Sequence, residues 1–359
     1  MAMHPRWTPS HPRARSTRRT ARLTFRSAAL AVGVVGSLAV APHTANHEGL
    51  RNASLPNEAA APRIAMVSAT EPVVLRRHRG VVNGDGQTVY LANHTRFRPA
   101  GSVSLPPQVR ARSWVVVDLS TGRLLGKHRP RVDLPQASTM KLLTAVTAAR
   151  TLSREPHKVT RFEAHQTCTC AGLRAGRLYR FRTLLEGMLL PSGNDAAEAI
   201  AGSHPQGRYA FYQAMNQNAQ RLGATDTVAR NASGLTATGS HSSARDLVIL
   251  LRAAMRYPLL TDVLGERSAR ITTVAGRFGH TVWRGTDYVN LYANSLGKSG
   301  YTTPAKNTLV VATRISGHQI AVATMGAPGG YSTSGARALT LWAADNFDGL
   351  MGVGTLPHS

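Results

Sequence analysis

The sequence predicts an α+β fold in which an inserted helical lobe interrupts one antiparallel sheet flanked by helices. Three observations predict this arrangement. Two strand-like runs separated by a turn begin near Ser113, helical patterns dominate residues 153–260, and strand patterns return after Arg270. The helices therefore lie between the first and last strands of a single sheet.

The first elements have clear local signals. Residues 114–119 are a β-branched run that predicts a buried strand, and residues 123–127 return as a second strand after a turn at 120–122. Residues 138–152 are good helix formers that are apolar on most faces. A helix of that kind is buried at the centre of a protein, and Ser138 would open it.

The later elements follow in order. Pro191 ends a short helix and leaves Ser192 and Asn194 in the loop beyond it, and Ser316-Gly317 joins two strands as a tight hairpin. No internal repeat is visible. The predicted helices are 183–190, 195–202, 208–222, 244–257 and 334–347, and the predicted strands are 271–275, 297–302, 307–315 and 318–325.

The segment 1–41 predicts a signal peptide and therefore a secreted or cell-envelope protein. It carries seven arginines and no acidic residue, then an apolar run over 28–41 that ends in a small-x-small cleavage pattern at Ala39 to Ala41. The apolar run is shorter than the ~20 residues that a spanning helix prefers. Cleavage is therefore favoured over an uncleaved membrane anchor, which stays open.

The rest of the chain divides into three predicted parts. Residues 42–107 are irregular and punctuated by proline, which predicts a flexible linker, although short strands are conceivable within 87–92. Residues 108–350 form the predicted catalytic domain, and residues 351–359 form a tail. A chain of 359 residues that is 42% hydrophobic is large enough to build such a core.

The chain is strongly basic, with a net charge of +25 that falls to +18 without residues 1–41. That charge indicates either a solvated arginine-rich surface or attraction to an anionic cell envelope. Export and the lack of a recognition motif argue against nucleic acid. The two cysteines, Cys168 and Cys170, are too few for a disulfide scaffold or a four-ligand zinc site, and either a strained bridge or two thiols is possible.

Three short motifs occur in one order along the chain. Ser138 and Lys141 form a Ser-x-x-Lys pattern, residues 192–194 read Ser-Gly-Asn, and residues 298–300 read Lys-Ser-Gly. Each motif alone is weak. The combination is specific, since only five of the 43 cationic side chains are lysines and two of them, Lys141 and Lys298, fill motif positions.

These residue types suit acyl transfer. A serine needs a base to take its proton, and Lys141 stands three residues after Ser138 on the same helix face. Lysine is a base only when neutral, a state that burial and a second nearby cation such as Lys298 both favour. Ser192 can relay a proton, and the Asn194 amide can hold Lys141 in place.

The third motif suits a terminal carboxylate. Lys298 supplies a cation, the Ser299 hydroxyl supplies a hydrogen bond, and Thr302 adds a second hydroxyl. Taken singly, these residues have ordinary structural explanations, such as a surface charge on an edge strand.

The ordered set of motifs resembles the low-molecular-mass serine D-alanyl-D-alanine carboxypeptidases, which are penicillin-binding proteins of peptidase S11 type. Flanking text at 115–125, 134–146, 191–201, 222–227, 231–235 and 297–302 is similar to that family, so the resemblance spans about 113–345. Ser299 stands where the family usually has threonine, which keeps the hydroxyl, and Gln136 interrupts the usual Pro-Ala-Ser run.

The resemblance implies a β-lactamase/transpeptidase-like fold with the site in a cleft between sheet and lobe. It also implies that the backbone amides of Ser138 and Tyr301 form the oxyanion hole, with Gly300 leaving room for substrate. The expected substrates are peptidoglycan stem peptides, from which the terminal D-alanine is removed through an acyl-enzyme on Ser138, and β-lactam antibiotics are the expected inhibitors.

Other functions either fit the sequence less well or depend on the same residues. A class A β-lactamase would carry Ser-Asp-Asn and a following Glu-x-x-Leu-Asn loop, which are absent here. No cofactor or metal is expected, because the fourteen histidines form no His-Glu-x-x-His pattern. A D,D-endopeptidase acting on cross-links shares the same residues and stays open, as does a non-catalytic penicillin-binding envelope protein.

Overall fold

The structure is a computed structural model that describes residues 81–82, 88–89, 106–167, 169–292, 294–350 and 352–357. Its strands are β1 (Val81–Val82), β2 (Thr88–Val89), β3 (Ser113–Asp118), β4 (Leu124–His128), β5 (His157–Lys158), β6 (Leu178–Tyr179), β7 (Ser268–Ile271), β8 (His280–Trp283), β9 (Ser295–Thr302), β10 (Lys306–Ile315) and β11 (His318–Ala327). Its α-helices are α1 (Lys141–Thr151), α2 (Arg161–Ala164), α3 (Phe181–Leu189), α4 (Asn194–Gly202), α5 (Gly207–Arg221), α6 (Ala244–Ala254), α7 (Pro258–Gly265), α8 (Asp287–Leu291) and α9 (Tyr331–Asp345).

One seven-stranded antiparallel sheet organises the described residues, in the order β1-β2-β4-β3-β11-β10-β9. The first long strands therefore pair with the last ones, as Val115 opposite Ala323 shows. Helices α1 to α7 lie between them in the sequence, so the predicted α+β class with an inserted helical lobe is confirmed. Strand β9, which carries Lys298, forms one edge.

The sheet is buried on both faces. Alternate residues of a strand point to opposite sides, so Val115 and Val117 pack into the core shared with the helical lobe. Trp114 and Val116 pack instead into a second core with residues of α8 and α9. Burial on both faces is the reason why β3 reads as a continuous apolar run rather than an alternating one.

A short 3-10 turn, Ala137–Met140, leads into the central helix α1. Leu142, Leu143 and Val146 are fully buried, as the apolar pattern predicts. Complete burial of each such side chain stabilises the fold by about 1.5–3 kcal/mol. The turn that carries the nucleophile candidate Ser138 therefore leads directly into a buried helix.

Two predicted elements differ from the structure. The strand expected at 271–275 lies earlier, at Ser268–Ile271, and pairs with β8 in a separate two-stranded sheet. Residues of this hairpin are largely exposed, so its sequence lacks a strong apolar alternation. The helix expected to reach residue 257 ends at Ala254, because Pro258 begins α7 and disfavours helical geometry in the residue before it.

The predictions for the segments outside the catalytic domain are tested only in part by the described residues. Within the predicted linker 42–107, β2 pairs with β4 through Thr88 and Lys127, and most of the remaining residues lie outside the described ones. The linker boundary stays a prediction. In the predicted tail, Val353 and Leu356 are buried and their amides donate to the backbone of Leu124 and Gly122, so 352–357 pack on the domain.

The predicted signal peptide, 1–41, lies outside the described residues. Within the described ranges, no helix combines the length and the apolar character needed to cross a bilayer.

Candidate active site

The turn before α1 brings Ser138 next to Lys141. The Lys141 ammonium nitrogen Nζ lies 2.9 Å from Ser138 Oγ, and the lysine is fully buried while the serine stays partly exposed. Ala137, immediately before the serine, has a left-handed backbone with φ of 49°. A non-glycine residue held there costs of order 1–3 kcal/mol and is found most often at functional sites.

Lys141 has two further acceptors that define its orientation. Its Nζ donates to Asn194 Oδ1 at 2.8 Å and to the backbone carbonyl of Ser233 at 2.7 Å. Both oxygens can only accept a hydrogen bond. When the amine is neutral, its two N–H groups are directed to these oxygens, and its lone pair is left to face the Ser138 hydroxyl. The geometry is that of a general base beside a nucleophile.

Asn194 begins α4 and is held from behind by the preceding loop. Its side-chain amide donates to Thr167 O and its backbone amide donates to Thr169 O, each at 2.8 Å. Gly193 must be glycine, because a Cβ would lie 2.6 Å from the carbonyl oxygen of Gly187. The Ser-Gly-Asn motif is therefore a close-packed turn that aims the Asn194 side chain at Lys141.

Lys298 reaches the site from the edge strand β9. Its Nζ donates to Ser192 Oγ at 2.9 Å and to Ser299 O at 2.8 Å, and only 1% of the residue is exposed. Burial lowers the pKa of Lys298 from 10.5 to about 7. Ser192 has a left-handed backbone with φ of 68°, a second strained residue at the site.

Strand β9 lies against the turn that carries the nucleophile. A Cβ at Gly300 would stand 2.6 Å from the backbone nitrogen of Ser138, so only glycine allows this approach. The hydroxyl of Thr308 on the neighbouring strand donates to Gln136 O at 3.0 Å, which ties the sheet to the same turn.

The remaining predicted residues of the third motif have varied surroundings. The Ser299 hydroxyl lies 3.2 Å from Thr286 Oγ1 and 3.4 Å from Gly285 O. Thr302 accepts from the Ala305 amide in the turn after the strand. Tyr301 is 62% exposed at the mouth of the site. The structure thus brings Ser138, Lys141, Ser192, Asn194, Lys298 and Gly300 into one cluster, whereas the hydroxyls of Ser299 and Thr302 have partners of their own.

The carbonyl of Ser233 is a site group that the sequence reasoning did not assign. It lies in a tight loop at 231–235, where the Asn231 side chain accepts from the Gly234 amide at 2.8 Å. Gly234 has φ of +80°, and a Cβ there would lie 2.0 Å from Ala137 O. The signal available in the sequence was the glycine within 231–235, which marks a close backbone approach.

Among the residues that the structure describes, no group of three or more His, Cys, Asp or Glu side chains could hold a metal ion. Cys170 is exposed in the loop before Asn194, and Cys168 lies outside the described residues.

Comparison with known proteins agrees with the geometry. Residues 100–329 match the profile of the peptidase S11 family, described as D-alanyl-D-alanine carboxypeptidase. The chain is 37% identical over 233 residues to a D-alanyl-D-alanine carboxypeptidase of Mycobacterium tuberculosis, an alignment that covers 64% of this chain and 78% of the relative. It is 31% identical to a D-alanyl-D-alanine endopeptidase of Escherichia coli, over 65% of this chain and 76% of that one.

Solved structures show the same fold. A crystal structure of a D-alanyl-D-alanine carboxypeptidase from Mycobacterium tuberculosis aligns with a TM-score of 0.64 and 33% identity, over 72% of this chain and 99% of that one. The Streptomyces K15 DD-transpeptidase aligns with a TM-score of 0.63 at 23% identity, over 67% of this chain and 98% of that one. The second likeness bears on the fold alone.

Proposed function

The chain belongs to the D-alanyl-D-alanine carboxypeptidase family, peptidase S11, and on that basis we propose how its residues carry out the reaction. The activity is that of a serine hydrolase acting on peptidoglycan peptides that end in D-alanyl-D-alanine. The proposal assigns Ser138 as the nucleophile and Lys141 as its base.

In the acylation step, Ser138 Oγ attacks the carbonyl carbon of the penultimate D-alanine while Lys141 Nζ takes the hydroxyl proton. The C–N bond then breaks and the terminal D-alanine leaves as an amine. Ser192, whose hydroxyl is hydrogen-bonded to Lys298 Nζ at 2.9 Å, relays the proton from Lys141 to that amine, which leaves Lys141 neutral again. The product is an ester on Ser138, which water hydrolyses with Lys141 again acting as base.

The oxyanion of the tetrahedral intermediate requires two fixed N–H donors. The amides of Ser138 and Tyr301 are proposed for this role. The close approach of Gly300 to the Ser138 nitrogen supports the proposal, because Tyr301 is the next residue of the same strand.

Lys298 is proposed to bind the terminal carboxylate of the substrate. The Ser299 hydroxyl is proposed to exchange its hydrogen bonds with Thr286 and Gly285 for one to the same carboxylate. Thr302 remains a candidate for a further hydrogen bond at the end of the strand.

The observation that carries the proposal is the set of three contacts at Lys141 Nζ, which orients this buried lysine toward the partly exposed Ser138. The test is incubation with a fluorescent penicillin and with a peptide that ends in D-alanyl-D-alanine. The wild-type protein should form a covalent adduct and release D-alanine, while Ser138→Ala should fold and do neither. An adduct mapped by mass spectrometry to a different serine would refute the assignment.

A second candidate activity is cleavage of peptide cross-links. Two relatives at 31% identity, from Escherichia coli and Pseudomonas aeruginosa, are D-alanyl-D-alanine endopeptidases. The same acyl-enzyme chemistry would serve, because the scissile bond again follows a D-alanine carbonyl. Incubation with purified cross-linked peptide dimers would detect it as the appearance of monomers.

Enzymes of this family act on the cell wall outside the cytoplasm, and the arginine-rich segment 1–41 is proposed to direct export. The net charge of +18 that remains without that segment is proposed to favour contact with an anionic envelope. Fractionation of cells that express the full chain, followed by N-terminal sequencing, would show where the protein resides and whether residue 42 begins the mature form.

A further inference from the structure

A buried carboxylate that the proposed chemistry does not use lies close to the Lys141 site. It contacts Ala232, the residue before the Ser233 carbonyl that Lys141 binds. Glu198 stands on α4 with 2% of its surface exposed, among the alanines of that helix. Burying a charged group in apolar surroundings is costly unless hydrogen bonds compensate. Burial also raises the pKa of Glu198 above its ordinary value. Such a residue needs specific partners.

One partner is a backbone amide next to the carbonyl that binds Lys141. Glu198 Oε1 accepts from the amide of Ala232, the residue before Ser233, at 3.2 Å. Its other oxygen accepts from the hydroxyl of Tyr212 on α5. The carboxylate therefore links two helices of the lobe to the backbone at Ala232.

The same stretch of backbone is held from its other side by α1. Thr144 Oγ1 donates to Ala232 O at 2.7 Å, and Lys141 Nζ donates to Ser233 O at 2.7 Å. The Ala232 amide, the Ala232 carbonyl and the Ser233 carbonyl are thus held by Glu198, Thr144 and Lys141, respectively. The carbonyl that orients the lysine has a position set by Glu198 on one side and by Thr144 on the other.

We infer that Glu198 is a positioning residue for acylation: it holds the Ala232 amide so that the adjoining Ser233 carbonyl directs Lys141 toward Ser138. The inference rests on the proposed roles of Ser138 and Lys141. Glu198 touches neither the substrate nor the reacting atoms. Its effect should appear in the rate of the chemical step rather than in the binding that precedes it.

The test measures the acylation rate constant and the pre-covalent dissociation constant for a penicillin in the full-length protein. Glu198→Ala should slow acylation by between about tenfold and 100-fold, since a misplacement of about 1 Å can cost about 100-fold. The dissociation constant should not change. Glu198→Gln should recover most of the rate, because its amide oxygen can accept from the Ala232 amide while its NH₂ donates to the Tyr212 oxygen.

A matched control separates positioning from general stability. Glu163 is also a buried carboxylate of the lobe, at 1% exposure, but it caps α2 and bonds His157 rather than the 231–235 loop. Glu163→Ala should lower the Tm and leave the acylation rate of the folded protein unchanged. Equal slowing in Glu163→Ala and Glu198→Ala, measured well below both Tm values, would overturn the inference.

Thr144→Val provides a second variant that keeps the carboxylate and nearly the same volume while releasing Ala232 O. It should also slow acylation without changing the dissociation constant, and it covers the case in which Glu198→Ala does not fold. Wild-type rates in both Thr144→Val and Glu198→Gln, with no folded Glu198→Ala, would count against the inference. If the wild-type protein itself forms no adduct on Ser138, the proposed function fails; if it does and the variants match it, only the role of Glu198 fails.

Discussion

The two walls of the site each contribute one buried lysine, but they hold it differently. On the lobe wall, Lys141 Nζ contacts groups from the nucleophile turn, from α4 and from the 231–235 loop. On the sheet wall, Lys298 Nζ contacts the Ser192 hydroxyl and the carbonyl of its own neighbour, Ser299. The exposed fractions are 0% and 1%, so burial does not distinguish them.

The difference lies in what the partners permit. Two carbonyl-type oxygens fix the direction of the Lys141 lone pair, an arrangement suited to proton transfer. A hydroxyl can donate or accept, so Ser192 can adjust when a substrate carboxylate approaches Lys298. We therefore propose that the lobe wall is organised for proton transfer before substrate binds, and that the sheet wall changes hydrogen-bond partners when substrate binds.

Removal of Lys141 should have the largest effect. Lys141→Met keeps the volume but supplies no base, so acylation by penicillin should fall by about 100-fold to 10,000-fold, the usual range for a general base. Quench-flow labelling with a fluorescent penicillin measures this directly. A loss of less than tenfold would mean that another group deprotonates Ser138 and would remove the contrast between the two walls.

Lys298→Ala should have a smaller effect that depends on the substrate. A charge-assisted contact is worth about 1.5–3 kcal/mol, so kcat/KM for a peptide ending in a free carboxylate should fall at least about tenfold. The loss should be much smaller for the same peptide with an amidated C-terminus. Equal losses for both peptides would reassign Lys298 from carboxylate binding to the chemical step.

The pH dependence of carboxylate recognition should follow the protonation of Lys298, the lysine of the sheet wall. The pKa of Lys298 is about 7, so its positive charge is present below that pH and is lost as the pH rises through it. The ratio of kcat/KM for the free-acid peptide to that for the amidated peptide should therefore fall above pH about 7. The ratio cancels every other ionisation of the enzyme, because both substrates share it. A ratio that is flat with pH would contradict a titrating cation at the carboxylate.

The smallest effect is expected far from both walls. A protein truncated to begin at Pro106 loses β1 and β2, of which β2 pairs with the outer side of β4 and β1 pairs with β2. The cost should be about 1 kcal/mol or less, a shift in Tm of roughly 2–4 °C for a domain of this size. Penicillin acylation should be unchanged. Insolubility or slow acylation of the truncated protein would show that the segment before Pro106 supports the site.

The sequence predicted the class of fold and most of the cluster because both depend on local patterns. The apolar runs of β3 and α1 form the predicted strand and helix, because both elements are buried in the core. The hairpin of β7 and β8 was misplaced because its exposed strands carry little apolar alternation. The packed segment 352–357 was missed because its burial depends on a long-range pairing with 122–124.

By itself, the sequence determined the residue types and their order: a serine and a lysine on one helical turn, a Ser-Gly-Asn turn, and a lysine before a glycine on an edge strand. Only the tertiary structure decided which backbone groups complete the site. The Ser233 carbonyl and the Ala232 amide that Glu198 holds are backbone groups, which every residue carries, so the sequence marks them only through the glycine within 231–235. Their position arises when α1, α4 and the 231–235 loop pack together, since a hydrogen bond forms only where donor and acceptor meet within about 3 Å.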